Sequence, residues 1–136
     1  MKVKIDERDT VFSKLVRERT GWVCEKCGGR QQKTVLHCSH LFSRRHRSTR
    51  WHPDNAFAHC FLCHQYLGEN PVVFADWAVK KMGKEKVEEM RILAHTVVKY
   101  SKFDLEIIYK HLQSEYKEML ERRKNGEVGR LDFKAF

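Results

Sequence analysis

Four of the five cysteines stand in two Cys-x-x-Cys pairs, Cys24 with Cys27 and Cys60 with Cys63. Each pair can place two sulfurs on one ion, and two pairs complete the four-thiolate tetrahedron of a structural zinc site. A redox dithiol is the alternative, but two pairs without a thioredoxin-like context argue against it. The spacing therefore predicts a zinc ion that holds the fold together. Four cysteine ligands leave no position for a reactive water, so this ion is expected not to catalyse.

Two histidines lie beside these pairs. His40 stands at the end of the first predicted strand, and His64 follows the last cysteine directly. An imidazole titrates near neutrality and can accept a proton from water, while a cation held by side chains can neutralise a phosphate. His40 as base and His64 as metal ligand would divide phosphodiester hydrolysis in that way. The alternative is that both are ordinary surface or packing histidines, the class to which we assign His46, His52, His95 and His111; His59 either touches the zinc shell or has no role.

An arginine-rich segment follows His40. Residues 44–51 contain four arginines and no acid, and the chain carries a net charge of +9. Arginine binds phosphate through its planar fork, so a loop at this place is expected to contact a polyanion such as DNA. A solvated basic loop is the alternative. The candidate DNA-binding residues are Arg44, Arg45, Arg47 and Arg50.

The elements around these residues follow from apolar spacing and helix-capping signals. The first half is predicted to contain a helix over Asp9–Arg19, a strand over Thr34–His37, a loop over Phe42–Pro53, a strand over Ala56–Ala58 and a helix over Cys60–Leu67 that Gly68 ends. Gly28 is expected to supply the tight turn of the first cysteine pair. The fifth cysteine, Cys38, is interpreted as a small packing residue.

The second half is predicted to be helical. Pro71 begins one helix that Gly83 stops, and residues 84–95 continue as another. Ser101 and Asp104 have the spacing of a capping box before a long helix that ends near Asn125. Its apolar stripe is Leu105, Ile108, Leu112, Tyr116, Met119 and Leu120. The fold class is thus α+β and mostly helical, with one domain over residues 1–136.

Hydropathy limits the location and the kinds of partner that the protein is expected to have. The chain has no apolar run of membrane-spanning length, and its first residues lack the apolar stretch of a signal peptide. We therefore expect no membrane partner and a cytoplasmic location, where paired cysteines more often bind metal than form disulfides.

Residues 34–70 resemble the HNH, or ββα-metal, endonuclease motif, a zinc-stabilised and treble-clef-like core. The wider pattern, over residues 9–95, is most similar to the phage NinG (Rap-like) recombination endonucleases. It includes His40-Leu41-Phe42-Ser43-Arg44, Thr49-Arg50-Trp51, Asn55 and Cys63-His64-Gln65-Tyr66-Leu67. The resemblance implies a nuclease core over residues 9–70, a helical extension over 71–125 and a tail over 126–136.

The resemblance also implies roles. His40 would be the general base, Asn55 would brace the loop, Arg50 would contact phosphate and His64 would bind a catalytic Mg²⁺ or Mn²⁺. Many relatives carry an aspartate, which is a second metal ligand, at the position of Ser39 in this chain. His37 lies on the same face of the strand as Ser39 and is the candidate substitute for that ligand. Products would carry 5′-phosphate and 3′-hydroxyl ends.

The expected substrate is duplex or branched DNA. A homodimer and phage recombination or packaging proteins are the protein partners that the resemblance raises, in the cytoplasm of a bacterial host. Two other functions stay open. One is a zinc-stabilised nucleic-acid-binding module without catalysis, and the other is an accessory nuclease that works only within a phage packaging or replication complex.

Overall fold

The structure is a computed structural model that describes residues 3–29 and 36–136. Five helices and a two-stranded sheet make up the described chain. Their order is α1 (Glu7–Arg19), β1 (Leu36–His40), β2 (Ala56–Cys60), α2 (Phe61–Glu69), α3 (Pro71–Met82), α4 (Lys84–Ala94) and α5 (Lys102–Lys124), with a 3-10 turn at Pro53–Asn55 before β2. This mostly helical α+β architecture confirms the predicted fold class.

Helix α1 begins earlier than predicted because Asp6 caps it. The Asp6 carboxylate accepts from the backbone of Asp9, and the Asp9 carboxylate accepts from the backbone of Asp6, which forms a complete capping box. The apolar positions at helical spacing, Phe12 and Leu15, are buried as expected. This face of α1 packs on the sheet and on α5.

The two strands form an antiparallel hairpin in which Leu36 pairs with Cys60 and His40 pairs with Ala56. Thr34, where the first strand was predicted to begin, lies outside the described residues. Every residue of β2 is buried, because helices cover both faces of the sheet. One face joins the α1–α5 core, while Phe57 on the other face packs with Phe74 of α3.

Helix α2 follows β2 without a connecting loop. The prediction that Gly68 ends it is wrong: Gly68 lies inside α2, which continues to Glu69. The chain instead turns at Asn70, and Pro71 occupies the first turn of α3, as predicted. Gly83 then ends α3 with φ +93°, a backbone angle that favours glycine.

Helix α5 begins with the predicted capping box of Ser101 and Asp104. Ile108, Leu112 and Met119 are buried against α1, but Leu120 is 42% exposed. The prediction for Leu120 fails because each residue turns 100° around a helix, which carries Leu120 off the stripe that Met119 follows.

The final residues lie on the α1–α5 core. The backbone N–H of Leu131 donates to the oxygen of Arg19 at 3.0 Å, and the ring of Phe133 lies 5.9 Å from that of Phe12. The segment predicted as a tail is therefore part of the packed domain. Within residues 3–29 and 36–136, no helix combines the length and the apolar character needed to cross a bilayer.

Candidate active site

The four paired cysteines converge on one point. The sulfurs of Cys24, Cys27, Cys60 and Cys63 all lie within 4.8 Å of one another. The Cys27 and Cys60 sulfurs are 3.9 Å apart, close to the roughly 3.8 Å edge of a tetrahedron with zinc–sulfur bonds of about 2.3 Å. Gly28 makes the predicted turn with φ +73°. The cluster thus has the ligands and the dimensions to hold one zinc ion.

The thiol ionisation of this cluster also fits a metal site. Burial opposes ionisation of Cys24, but backbone hydrogen bonds around its sulfur dominate and lower its pKa to about 7. Burial and the neighbouring sulfurs raise the pKa of Cys63. Four thiolates held together repel one another, so a divalent cation is the group that would let all four ionise.

Glu25 links the first cysteine pair to the sheet. Its backbone N–H donates to the oxygen of Ala58 at 2.8 Å, and its carboxylate accepts from the N–H of Ala58 at 2.7 Å. Arg130 of the final segment donates to the same carboxylate at 2.8 Å. These bonds bring the pair that begins at Cys24 to the pair that begins at Cys60, and no pattern in the sequence predicts them.

The ring of His40 is held at the end of β1. Its Nε2 lies 3.1 Å from the backbone oxygen of Arg50, which places the proton on Nε2 and leaves the Nδ1 lone pair free to accept. Burial lowers the pKa of His40 to about 4, and the charge of Arg44 adds to this effect. His40 is therefore neutral at pH 7, the form that a base requires.

Asn55 clamps the loop between the strands. Its side-chain oxygen accepts from the N–H of Phe42 at 2.8 Å, and its amide donates to the oxygens of Phe42 and Thr49 at 2.8 and 3.0 Å. The side chain is fully buried, so both of its polar ends are satisfied within the loop. The loop carrying the arginines therefore keeps one shape beside His40.

Arg50 does not occupy the position predicted for it. It is only 6% exposed, and its Nε donates to the Asp9 carboxylate at 3.0 Å. The indole N–H of Trp51 donates to the same carboxylate at 3.0 Å. Because this pairing holds the guanidinium inside the core, the predicted phosphate and DNA contacts of the Arg50 side chain are corrected to a structural role, and its backbone oxygen orients His40.

His37 and His64 form a pair on the other face of the sheet. Their ring centroids are 5.1 Å apart, and neither ring hydrogen bonds within the described part of the chain. Burial and then the neighbouring His37 lower the pKa of His64, which favours its neutral, ligating form. Ser39 shares the face of His37 but is buried. Two imidazoles are thus the accessible donors at this position.

Arg44 acts electrostatically on both candidate histidines. Its charge lowers the pKa of both His40 and His64. Its Nε is buried, and no described residue accepts a hydrogen bond from it. Arg45 and Arg47 project into solvent from the same loop. Three of the four predicted DNA-binding arginines therefore remain available for an anion.

The other histidines support the surrounding structure. His46 and His95 bond the backbone oxygens of Ala94 and Arg91 at 2.9 and 2.8 Å. His59 is buried among Phe57, Phe74 and Trp77, and its two ring nitrogens have no partner in residues 3–29 and 36–136. Cys38 is buried, which raises its pKa to about 12, as expected of an inert packing thiol.

Two further contacts near the site were not predicted from the sequence. Asp9 holds Arg50 and Trp51 from a helix far away along the chain, and no local pattern indicates this pairing. Phe61 lies inside the second cysteine pair, and its ring centroid is 6.0 Å from that of His37. In the sequence, the only signal for a role of Phe61 is its position between two candidate zinc ligands and close to a candidate metal-binding histidine.

The fold and the site define a mostly helical α+β protein built around a four-cysteine cluster. The family model described as Bacteriophage Lambda NinG protein matches residues 2–124, so the chain belongs to the NinG family. No significant match to the chain was found among the curated proteins or among the solved structures.

Proposed function

We propose that this NinG-family protein is a metal-dependent DNA endonuclease of the HNH class. The observation that carries this proposal is the setting of His40. Its Nε2 is fixed on the Arg50 oxygen, its Nδ1 is free to accept a proton, and the charge of Arg44 acts on both it and His64. The hairpin followed at once by α2 has the strand-strand-helix order of that class.

His40 acts as the general base in this proposal. The neutral ring accepts a proton at Nδ1 from the water that attacks phosphorus, and the Arg50 oxygen stabilises the imidazolium through Nε2–H. The bond from phosphorus to the 3′ oxygen breaks as the bond from water forms, and the released 3′ oxygen takes a proton from solvent water. The products therefore carry 5′-phosphate and 3′-hydroxyl ends.

His37 and His64 hold the catalytic cation. A bound divalent ion supplies the positive charge that phosphate and the leaving oxygen need. Because Ser39 replaces a carboxylate, the donors are imidazoles, which favour transition metals over Mg²⁺. We therefore expect stronger activity with Mn²⁺ or Co²⁺ than with Mg²⁺.

Arg44 binds the scissile phosphate, and Arg45 and Arg47 bind flanking phosphates. Arg44 is half-buried and its charge acts on both His40 and His64, which supports a place for its guanidinium beside the reacting phosphate. Arginine pairs with phosphate through two parallel N–H donors, which fixes orientation as well as affinity. The cysteine cluster binds zinc as a structural ion and anchors both ends of the segment that contains His40.

Plasmid nicking tests this proposal. Supercoiled DNA is incubated with wild-type protein, His40→Ala and His111→Ala in the presence of Mg²⁺, Mn²⁺ or Co²⁺. His111 is the matched control, because it lies on α5 and bonds the oxygen of Lys134 in the final segment. We expect the wild type and His111→Ala to nick, and His40→Ala to bind DNA while losing about 10²–10⁴-fold in rate.

Failure of the wild type to cut with any divalent ion would overturn the nuclease proposal. The second candidate is a zinc-stabilised DNA-binding module, which the solvent-facing Arg45 and Arg47 support without any need for His40. Binding without cutting by the isolated protein would favour that module. Cutting that appears only when phage recombination or packaging proteins are added would favour the accessory nuclease.

A further inference from the structure

We propose that Phe61, together with Leu62, is a stacking platform for an unpaired nucleobase beside the scissile phosphate. This inference rests on the proposed function and adds a feature of its substrate: DNA in which a base next to the cut has left the helical stack. It also assigns a role to two side chains that take no part in general-base catalysis, cation binding or phosphate binding in the proposed mechanism.

Both side chains are largely exposed. Phe61 is 56% exposed and Leu62 is 73% exposed, although they occupy the first turn of a helix that begins directly at the sheet. They lie between Cys60 and Cys63, so the metal cluster fixes the backbone that presents them. The platform is therefore rigid before DNA binds, and little side-chain freedom is lost on contact.

The platform lies next to the proposed cation site. The Phe61 ring is 6.0 Å from that of His37, which is in turn 5.1 Å from that of His64. A nucleotide is several ångströms long, so a phosphate held near His64 and Arg44 would bring its own base or the next one to Phe61. The distances thus connect the apolar surface to the reacting phosphate.

Charge identifies nucleic acid as the occupant. The ammonium of Lys26 lies 5.3 Å from the Tyr66 ring, one helical turn from Leu62, so a cation borders the apolar surface. The charge of Arg44 acts on His64, and the whole chain carries a net charge of +9. A nucleotide satisfies both parts of this surface, because its base has an apolar face and its phosphate is anionic.

A base in a regular duplex cannot use this platform, because both of its faces are already stacked. The extrusion of a paired base requires several kcal/mol, while a mismatched or unpaired base requires least. The platform therefore favours DNA with bulges, mismatches or strand junctions over perfect duplex. This preference is a property of Phe61 and Leu62 and not of the arginine loop, which contacts backbone in any duplex.

The test uses DNA with a 2-aminopurine in a single-base bulge, and a matched duplex without the bulge. Binding is followed with EDTA-treated buffer and His40→Gln protein that has retained its zinc, so that no cutting occurs. Phe61→Ala is compared with Phe61→Trp and with Phe103→Ala. Phe103 is the control, because it is 72% exposed on α5, away from the site.

We expect the fluorescence change of 2-aminopurine to be lost in Phe61→Ala and kept in Phe61→Trp and Phe103→Ala. Affinity for the bulged DNA should fall by about 5- to 150-fold in Phe61→Ala, the range that corresponds to base–aromatic stacking, with little change for the duplex. Zinc content and melting temperature should be equal in all variants, since Phe61 is at the surface.

The outcomes separate this inference from the nuclease proposal. If wild-type protein nicks DNA but Phe61→Ala keeps the fluorescence change and the affinity for bulged DNA, the platform is refuted and the nuclease stands. If the fluorescence change depends on Phe61 but wild type never cuts, the platform stands on a DNA-binding module. Self-association that is lost in Phe61→Ala, without a fluorescence response to DNA, would assign the surface to a second copy of this chain and refute the platform.

Discussion

The Nε2 atom of His40 lies 3.1 Å from the backbone oxygen of Arg50, while the Arg50 guanidinium pairs with Asp9 in the interior. One residue thus connects helix α1 to the proposed base. The side chain holds the loop, and the main chain orients the imidazole. A substitution on α1 is therefore expected to act on the chemistry through Arg50, although Asp9 does not reach the substrate.

Asp9→Asn tests this connection. The change leaves a buried arginine without its carboxylate partner, and we expect a loss of about 3–5 kcal/mol in the free energy of unfolding. Urea unfolding of the zinc-loaded protein measures it. Glu88→Gln is the control, because Glu88 pairs with Arg91 on the exposed face of α4 and its loss should leave stability unchanged. Equal effects of the two variants would contradict the structural role of the Asp9–Arg50 pair.

The ionisation of His40 gives a pH-dependent prediction. Its pKa falls from 6.5 to about 4, mainly through burial, so the folded protein favours the neutral ring. Between these pH values the unfolded chain binds a proton that the folded chain does not. The stability from this group is complete above pH 6.5 and is lost as the pH falls through 4. Histidine NMR should show a neutral His40 at pH 5.

The same prediction can be checked by unfolding. Because His40→Gln removes this titration, its free energy of unfolding should fall less than that of the wild type between pH 6.5 and pH 4.5. Cysteine protonation affects both proteins alike, so the difference between them isolates His40. A His40 resonance that titrates near pH 6.5, or parallel pH curves for the two proteins, would contradict the buried, neutral base.

Metal removal is expected to unfold the domain. The cysteine cluster joins the first cysteine pair to the sheet and to α2. Structural zinc contributes about 10–16 kcal/mol in small zinc-binding peptides. Cys63→Ser or a strong chelator should abolish the cooperative melting transition. Cys38→Ala removes a thiol outside the cluster and should keep one zinc per chain. A melting curve that is unchanged by complete metal removal would show that the ion is not structural.

Two arginines of one loop should behave differently. Arg44→Ala should lower the cleavage rate by about 10²–10³-fold, because the proposed mechanism uses its charge to stabilise the reacting phosphate. Arg45→Ala should leave the rate constant of bound DNA unchanged and reduce the salt slope of binding by about 0.9, the value for one phosphate contact. Single-turnover cleavage and binding at several salt concentrations measure these effects. Identical profiles for both variants would contradict the distinct position of Arg44.

Signals close together in the chain allowed most of the fold to be predicted. Pro71 and Gly83 bounded α3, and Ser101 and Asp104 began α5. The prediction that Gly68 ends α2 was wrong because a helix can contain a glycine when the next residues favour continuation. Here Pro71 determines where the chain turns. The prediction for Leu120 was wrong because Leu120 lies 100° around the helix from the buried Met119 and so leaves the apolar stripe.

The features of the candidate site divide in the same way into those that depend on local sequence and those that depend on the folded chain. The sequence by itself determined the cluster of four cysteines, the placement of His40 and His64 at element ends and the cationic loop, because Cys-x-x-Cys spacing and charge are local properties. Only the tertiary structure decided which arginine is free. Arg50 and Arg44 look alike in sequence, but the carboxylate that withdraws Arg50 comes from Asp9 on another helix, and pairing over that distance exists only once the chain has folded.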